Sequence, residues 1–231
     1  MPEPDLTDPT APGPAARVEV IAVTAGHGPR PVELARRRRG LLTSLAVLVP
    51  SVDAATPGLI RAVTGWAPPE FRVEVVVVDP GPGDPAARAA LDEVADHLDA
   101  LAWPWASVPQ PILSRAEGLD AAVQACSSEF VIAVHGGTDH LGDVPAGLGH
   151  LWAEGADVLI ADGGGDARPV LERVAVGLGL RAGGPGTVVV LRRWVARFLL
   201  GDLALALDPG AELLERCELL DLTVLDVQPP T

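Results

Sequence analysis

From Arg17 onward, short runs of β-branched and other apolar residues alternate with stretches in which apolar residues recur at every third or fourth position. Val18–Val23, Leu45–Val49, Val73–Asp79, Phe130–His135, Val158–Asp162, Thr187–Leu191 and Leu222–Val227 are the expected strands. Val75–Val78 is the clearest, because an unbroken apolar run suits a strand covered on both faces. Ala86–Leu101 places Leu91, Val94, Leu98 and Leu101 on one stripe and predicts an amphipathic helix. Thr56–Trp66, Ala116–Cys126, Val144–Glu154, Val170–Leu178 and Ala211–Leu220 are expected helices as well. Strands alternating with helices predict an α/β domain whose sheet is mostly parallel, or mixed, and flanked by helices. Residues 1–15 hold five prolines and three acids with little to bury, and are expected to be a disordered tail ahead of a single domain over 16–231.

Composition narrows the function. The 231 residues are 48% apolar, enough for a sizeable core. The net charge of −14 argues against a nucleic-acid partner, which needs a basic face. All 17 basic residues are arginine, so a Schiff-base lysine and a P-loop lysine are excluded. Cys126 and Cys217 stand 91 positions apart without a CxxC, which fits a reducing compartment better than a disulfide framework. No apolar run is long enough for a membrane span, and a cytoplasmic location is the expectation.

In open α/β sheets ligands bind beyond the carboxyl ends of the strands, so the residues that end strands carry the chemistry. Val73–Asp79 runs into Asp79-Pro80-Gly81-Pro82-Gly83-Asp84, a carboxylate followed by a tight turn. Asp79 suits hydrogen bonds from a nucleobase or ribose; the plain alternative is a turn acid or helix cap. Gly81-x-Gly83 lacks the third glycine of a dinucleotide fingerprint. No GxSxG elbow or HExxH is present.

The order Leu45–Asp53, a helix at Thr56–Trp66, then Pro69–Asp84 resembles the start of a family 2 glycosyltransferase with the GT-A fold. Ser114–His135 is similar to that family's next helix and the strand leading to its Asp-x-Asp, and Glu154–Asp162 to the strand that follows. The resemblance covers about 42–228 and rests on order and spacing. It implies a nucleotide-binding half over about 42–134 and an acceptor half over 135–231. It also implies a nucleoside-diphosphate sugar as donor, with Asp53 and Asp79 at the nucleoside.

The departures fall on the chemical positions. Asp79-Pro80-Gly81-Pro82 stands for Asp-Asp-Gly-Ser, His135-Gly136-Gly137 for Asp-x-Asp, Leu119-Asp120 for an Arg-Asn pair, and Pro209-Gly210 for Glu-Asp. His135, Asp139 and His140 would form a substitute ligand set for Mn²⁺ or Mg²⁺, two imidazoles and a carboxylate; the plain alternative is a Gly-containing loop with exposed polar residues. Asp208 or Glu212 would take the proton of an acceptor hydroxyl, although Asp208-Pro209 also reads as a helix cap and first position. Without a metal, Arg115, Arg192 or Arg193 would face the diphosphate. With so many hallmarks altered, an inactive module of the same fold, binding a nucleotide-sugar or a protein partner, is the alternative. Trp103-Pro104-Trp105 suits either stacking on a sugar or base, or a satellite core.

Overall fold

The computed structural model describes residues 17–23, 44–66, 72–109, 114–134, 144, 148, 151, 155–162, 168–182 and 187–228. In chain order the elements are β1 (Arg17–Val23), β2 (Ser44–Val49), α1 (Thr56–Trp66), β3 (Arg72–Asp79), α2 (Pro85–Ala100), β4 (Trp105–Pro109), α3 (Arg115–Ala125) and β5 (Phe130–Ala133). They continue with β6 (Val158–Asp162), α4 (Val170–Gly177), β7 (Thr187–Arg192), α5 (Arg193–Leu200), a 3₁₀ turn (Leu203–Leu205), α6 (Pro209–Glu218) and β8 (Leu222–Gln228).

The strands form one mixed sheet in the order β1-β8-β6-β7-β5-β2-β3-β4. Parallel ladders join β2 to β3 and β5, β3 to β4, and β6 to β8, while β7 runs antiparallel to β5 and β6, and β1 antiparallel to β8. Alternate residues of each strand feed two cores. Leu45, Val47, Val75 and Val77 meet Ile60 and Val63 of α1 and Leu91, Val94 and Leu98 of α2 on one face. Ala46, Leu48, Val76 and Val78 meet α3, α4, α5 and α6 on the other. Strands covered on both sides must be apolar throughout, which is why the valine run was readable.

Besides the short 3₁₀ turn, two elements were not expected from the sequence. β4 is an edge strand of partly exposed residues with prolines beside and within it, so it carries no apolar run. Its Trp105, with Trp103, packs against the α1–α2 core, as the satellite-core alternative had it. α5 starts directly after β7 with no capping side chain to announce it. Of the expected helix Val144–Glu154, the described residues Val144, Leu148 and Leu151 are helical and buried; the tail 1–15 lies outside the described residues. Among the described residues no helix is long and apolar enough to cross a membrane.

The cysteines behave as small core residues. Both are buried, and burial raises the Cys126 thiol to about 11 and the Cys217 thiol to about 12. Neither is a poised nucleophile.

Glu74 holds the turn between α3 and β5 onto the start of β3. Its carboxylate accepts from the Ser127 and Ser128 backbone N–H groups at 2.7 Å each and from Ser127 Oγ at 2.9 Å. Partial burial raises its pKa, but the hydrogen bonds outweigh that and hold it below the ordinary 4.5. A carboxyl with a depressed folded pKa contributes stability above its unfolded value, and that stability is lost as pH falls through the folded one. Glu74→Gln should therefore cost about 1–3 kcal/mol at pH 7. In urea unfolding the gap from the native chain should narrow as the pH is taken well below 4.5. A gap unchanged with pH would mean the charge of Glu74 is not what the turn uses.

Candidate functional site

Because β2, β3 and β5 run parallel, Pro50, Asp79 and Val134 come to one edge of the sheet. At the end of β2, Asp53 caps α1. Its Oδ1 accepts from the N–H of Ala55 (2.9 Å) and Thr56 (3.0 Å) and from Thr56 Oγ1 (3.0 Å), and Thr56 Oγ1 accepts from the Asp53 N–H at 2.9 Å. Beside it is a small cavity of about 60 Å³ whose walls include Ser51, Asp53, Arg115 and Val134.

Arg115 opens α3. Ser114 accepts from the Glu117 N–H (3.3 Å) and Glu117 accepts from the Ser114 N–H (2.7 Å), a reciprocal cap that sets where the helix begins. Gly118, three residues on, lies against Pro50 so closely that a side chain there would overlap the Pro50 carbonyl oxygen. That approach carries Arg115 to the end of β2. Its Nε donates to the Leu178 carbonyl at 2.7 Å, while one terminal nitrogen, Nη2, is buried with no hydrogen-bond partner. Burial lowers its pKa, yet a guanidinium remains charged at neutral pH. A desolvated cation with an open donor suits an anion.

Asp79 ends β3 and is mostly buried. Its Oδ1 accepts from the Gly81 N–H (2.8 Å), and its Oδ2 pairs with Arg88 of α2 at 3.0 Å. Gly81 has φ +75°, a conformation glycine adopts without strain. The turn, the start of α2 and Pro109 line an open groove of about 830 Å³. Asp53 and Asp79 thus share the carboxyl edge but line separate cavities, and Asp79 is already engaged by Arg88.

Asp208 is the N-cap of α6, its Oδ1 accepting from Gly210 and Ala211 N–H groups at 3.0 Å each, with Pro209 following. Glu212 pairs with Arg216 at 2.8 Å. Neither lines the two cavities above. The α6 N-terminus does rest on the turn after α4, where Gly210 adjoins Leu180 and Arg181 while Arg115 holds Leu178 of the same turn. Arg181 Nε is also buried and unpartnered.

Leu119-Asp120, which stand for the family's Arg-Asn pair, carry no free cation to the carboxyl edge. Leu119 is fully buried in the core and Asp120 accepts from Gln124 at 2.9 Å. The arginine of this helix that reaches the carboxyl edge is Arg115, a residue the sequence offered only as one of three, and the Ser114–Glu117 cap was the signal for its place. Arg192 and Arg193 stand at the opposite end of the sheet, bonded to Ala156 and Glu129 and to Cys126 respectively. His135, Asp139 and His140 lie outside the described residues. Among the described residues no three His, Cys, Asp or Glu gather for a metal ion. Asp53 and Asp79 are taken up by their own turns, so the described donors do not fit a metal cage.

The mixed sheet and its two helix layers form an α/β fold like that of GT-A glycosyltransferases. Among solved structures the chain is similar to S. aureus TarS (14% identity, TM-score 0.53), covering 81% of this chain and 58% of that one. It is equally similar to the same protein in complex with UDP-GlcNAc (14%, TM-score 0.53, 82% of this chain and 59% of that one). The UDP complex of Mycobacterium tuberculosis glucosyl-3-phosphoglycerate synthase is 18% identical with a TM-score of 0.51, covering 87% of this chain and 76% of that chain. The chain thus spans less than two thirds of the TarS structures. No family model and no curated protein sequence matches it.

Proposed function

We propose that the chain is a glycosyltransferase-like protein that binds a nucleoside-diphosphate sugar at the carboxyl edge of its sheet. The observation that carries this is Arg115, whose side chain helps line the cavity beside Asp53 and whose buried Nη2 has no hydrogen-bond partner. The solved neighbours with bound UDP-GlcNAc and UDP support the donor class. In this reading the nucleoside contacts Asp53 and Asp79, and Arg115 meets the negative charge of the diphosphate, which grows as the sugar–phosphate bond breaks. Asp208 or Glu212 takes the proton of an acceptor hydroxyl. Either acid has to leave its present partners to do so, since Asp208 holds two helix N–H groups and Glu212 holds Arg216. Those engagements favour a second reading, a module that binds the donor without turnover.

The test is thermal unfolding with nucleoside diphosphates and sugar-nucleotides, each with and without Mn²⁺ or Mg²⁺. A ligand at about 100 times its Kd should add about 2.7 kcal/mol. At this chain length that is a rise of roughly 5–10 °C. Arg115→Ala should abolish the rise, and Asp79→Ala should reduce it. A rise that needs the cation, and that His135→Ala removes, supports His135, Asp139 and His140 as its ligands; a rise without it leaves the diphosphate to Arg115. Donor hydrolysis separates an enzyme from a binding module. A flat panel, or a rise that Arg115→Ala leaves intact, overturns the assignment.

A further inference from the structure

Single exposed apolar side chains are ordinary on a protein surface, but several gathered on one unit mark a contact face. Among the described residues six large apolar side chains are exposed, and Trp194, Phe198, Leu205, Leu207 and Leu219 all belong to the stretch from α5 through α6. Leu207 is fully exposed. Only Leu101, at the end of α2, lies elsewhere.

α5 is apolar on both sides. Val195, Ala196, Leu199 and Leu200 face the core, while Trp194 and Phe198, one turn apart, stand outside with Arg197. α6 is fastened to the end of α5 by Arg216, whose guanidinium donates to the carbonyls of Phe198 and Leu199 at 3.3 Å each and to that of Gly201. Leu219 follows α6, three residues beyond Arg216.

Charge divides the same unit. α5 carries no acid, and Arg197 has no hydrogen bond or ion pair among the described residues, whereas exposed Glu215 and Glu218 on α6 and Asp202 before the 3₁₀ turn have no cationic partner there. An apolar patch with an unpaired cation on one helix and unpaired acids on the next is complementary to itself under a two-fold rotation. A surface of anionic lipid is the poorer fit, because these acids and the net charge of −14 oppose it.

We propose that α5, the 3₁₀ turn and α6 form a homodimer interface, on which a second copy packs its own Trp194 and Phe198 and sets its Glu215 against Arg197. The proposal is independent of the nucleotide reading. Arg193, beside the patch, donates to the Cys126 carbonyl at the far end of α3 from Arg115, so the α5 part of the interface lies away from that arginine, while the α6 N-terminus with Asp208 rests on the turn Arg115 holds.

Sedimentation velocity of the full chain from about 1 to 100 µM tests this, a range that brackets a weak to moderate dimer. The native chain and Leu101→Ser should sediment as dimers at the upper end. Trp194→Ser with Phe198→Ser, and separately Arg197→Glu, should raise the dissociation constant at least about tenfold, as loss of central interface residues does. Arg197→Glu combined with Glu215→Arg should restore it by exchanging the two charges. Circular dichroism melts unchanged from the native chain show that the variants fold. The proposal is overturned by a native chain monomeric throughout, by dimers that survive the aromatic substitutions, or by a charge exchange that fails to rescue. Retention of a monomeric chain on phosphatidylglycerol vesicles would overturn it in favour of a lipid surface.

Discussion

Asp226→Asn is expected to cost about 3–5 kcal/mol, because it removes the carboxylate that a buried guanidinium bonds through two nitrogens. Arg173 of α4 donates to Asp226 of β8 through both terminal nitrogens, at 2.8 and 2.6 Å. The two side chains are only 5% and 4% exposed. Water therefore does little to screen either charge, and neutralising one removes a short two-bonded ion pair from the core. The pair as a whole is a different matter. Two charges removed from water repay much of their desolvation in attraction, so Arg173→Met with Asp226→Leu should be far closer to neutral than either single change. Urea unfolding of the two singles and the double forms a cycle that measures the coupling. A loss under about 1 kcal/mol for Asp226→Asn would mean that solvent or another group already answers the Arg173 charge.

Gly118→Ala should destabilise by about 1–3 kcal/mol, although alanine is the better helix former by about 1 kcal/mol. The added Cβ would lie 2.2 Å from the Pro50 carbonyl oxygen and 3.0 Å from the carbonyl carbon. Both are backbone atoms at the end of a central strand, with no rotamer to move into. Relief has to come from α3 shifting away from β2, and that withdraws Arg115 from Asp53. The variant should therefore lose stability in thermal unfolding and also lose part of any nucleotide-induced rise. A Gly118→Ala chain as stable as the native one would show that α3 and the end of β2 do not meet at this glycine.

How much of this was legible follows from where each signal resides. Strands covered on both faces carry their evidence in their own residues, and Val75–Val78 could hardly be anything else. β4 draws its place from the free edge of β3, and its Trp-Ala-Ser-Val-Pro shows no periodicity to find. α5 was hidden by continuity, since Arg192 and Arg193 pass from strand to helix without a break. At the site, Asp79 was recognisable because a strand ends on it, but its Arg88 partner depends on how the turn folds back. Arg115 was within reach, because Ser114 and Glu117 at cap spacing place the residue after the serine at the first position of a helix. The Asp208-Pro209 start of α6 was readable for the same reason, and so was the matching Asp84-Pro85 start of α2. The open donor on Arg115 was not readable, since it depends on what fails to surround it.

The pairing of β1 with β8 has a consequence for how the chain is made. Arg17 pairs with Gln228 and Val23 with Leu222, so β1 emerges from the ribosome roughly 200 residues ahead of its neighbour. At usual rates of synthesis that is a delay of roughly 10–40 s. β2, β3, β4 and β5 can meanwhile assemble among themselves, because the ladders between these four join only residues between 44 and 133, and β5 gains β7 later. The nascent protein thus passes through a stage in which one half of the sheet is built while β1, already synthesised, has no edge to join.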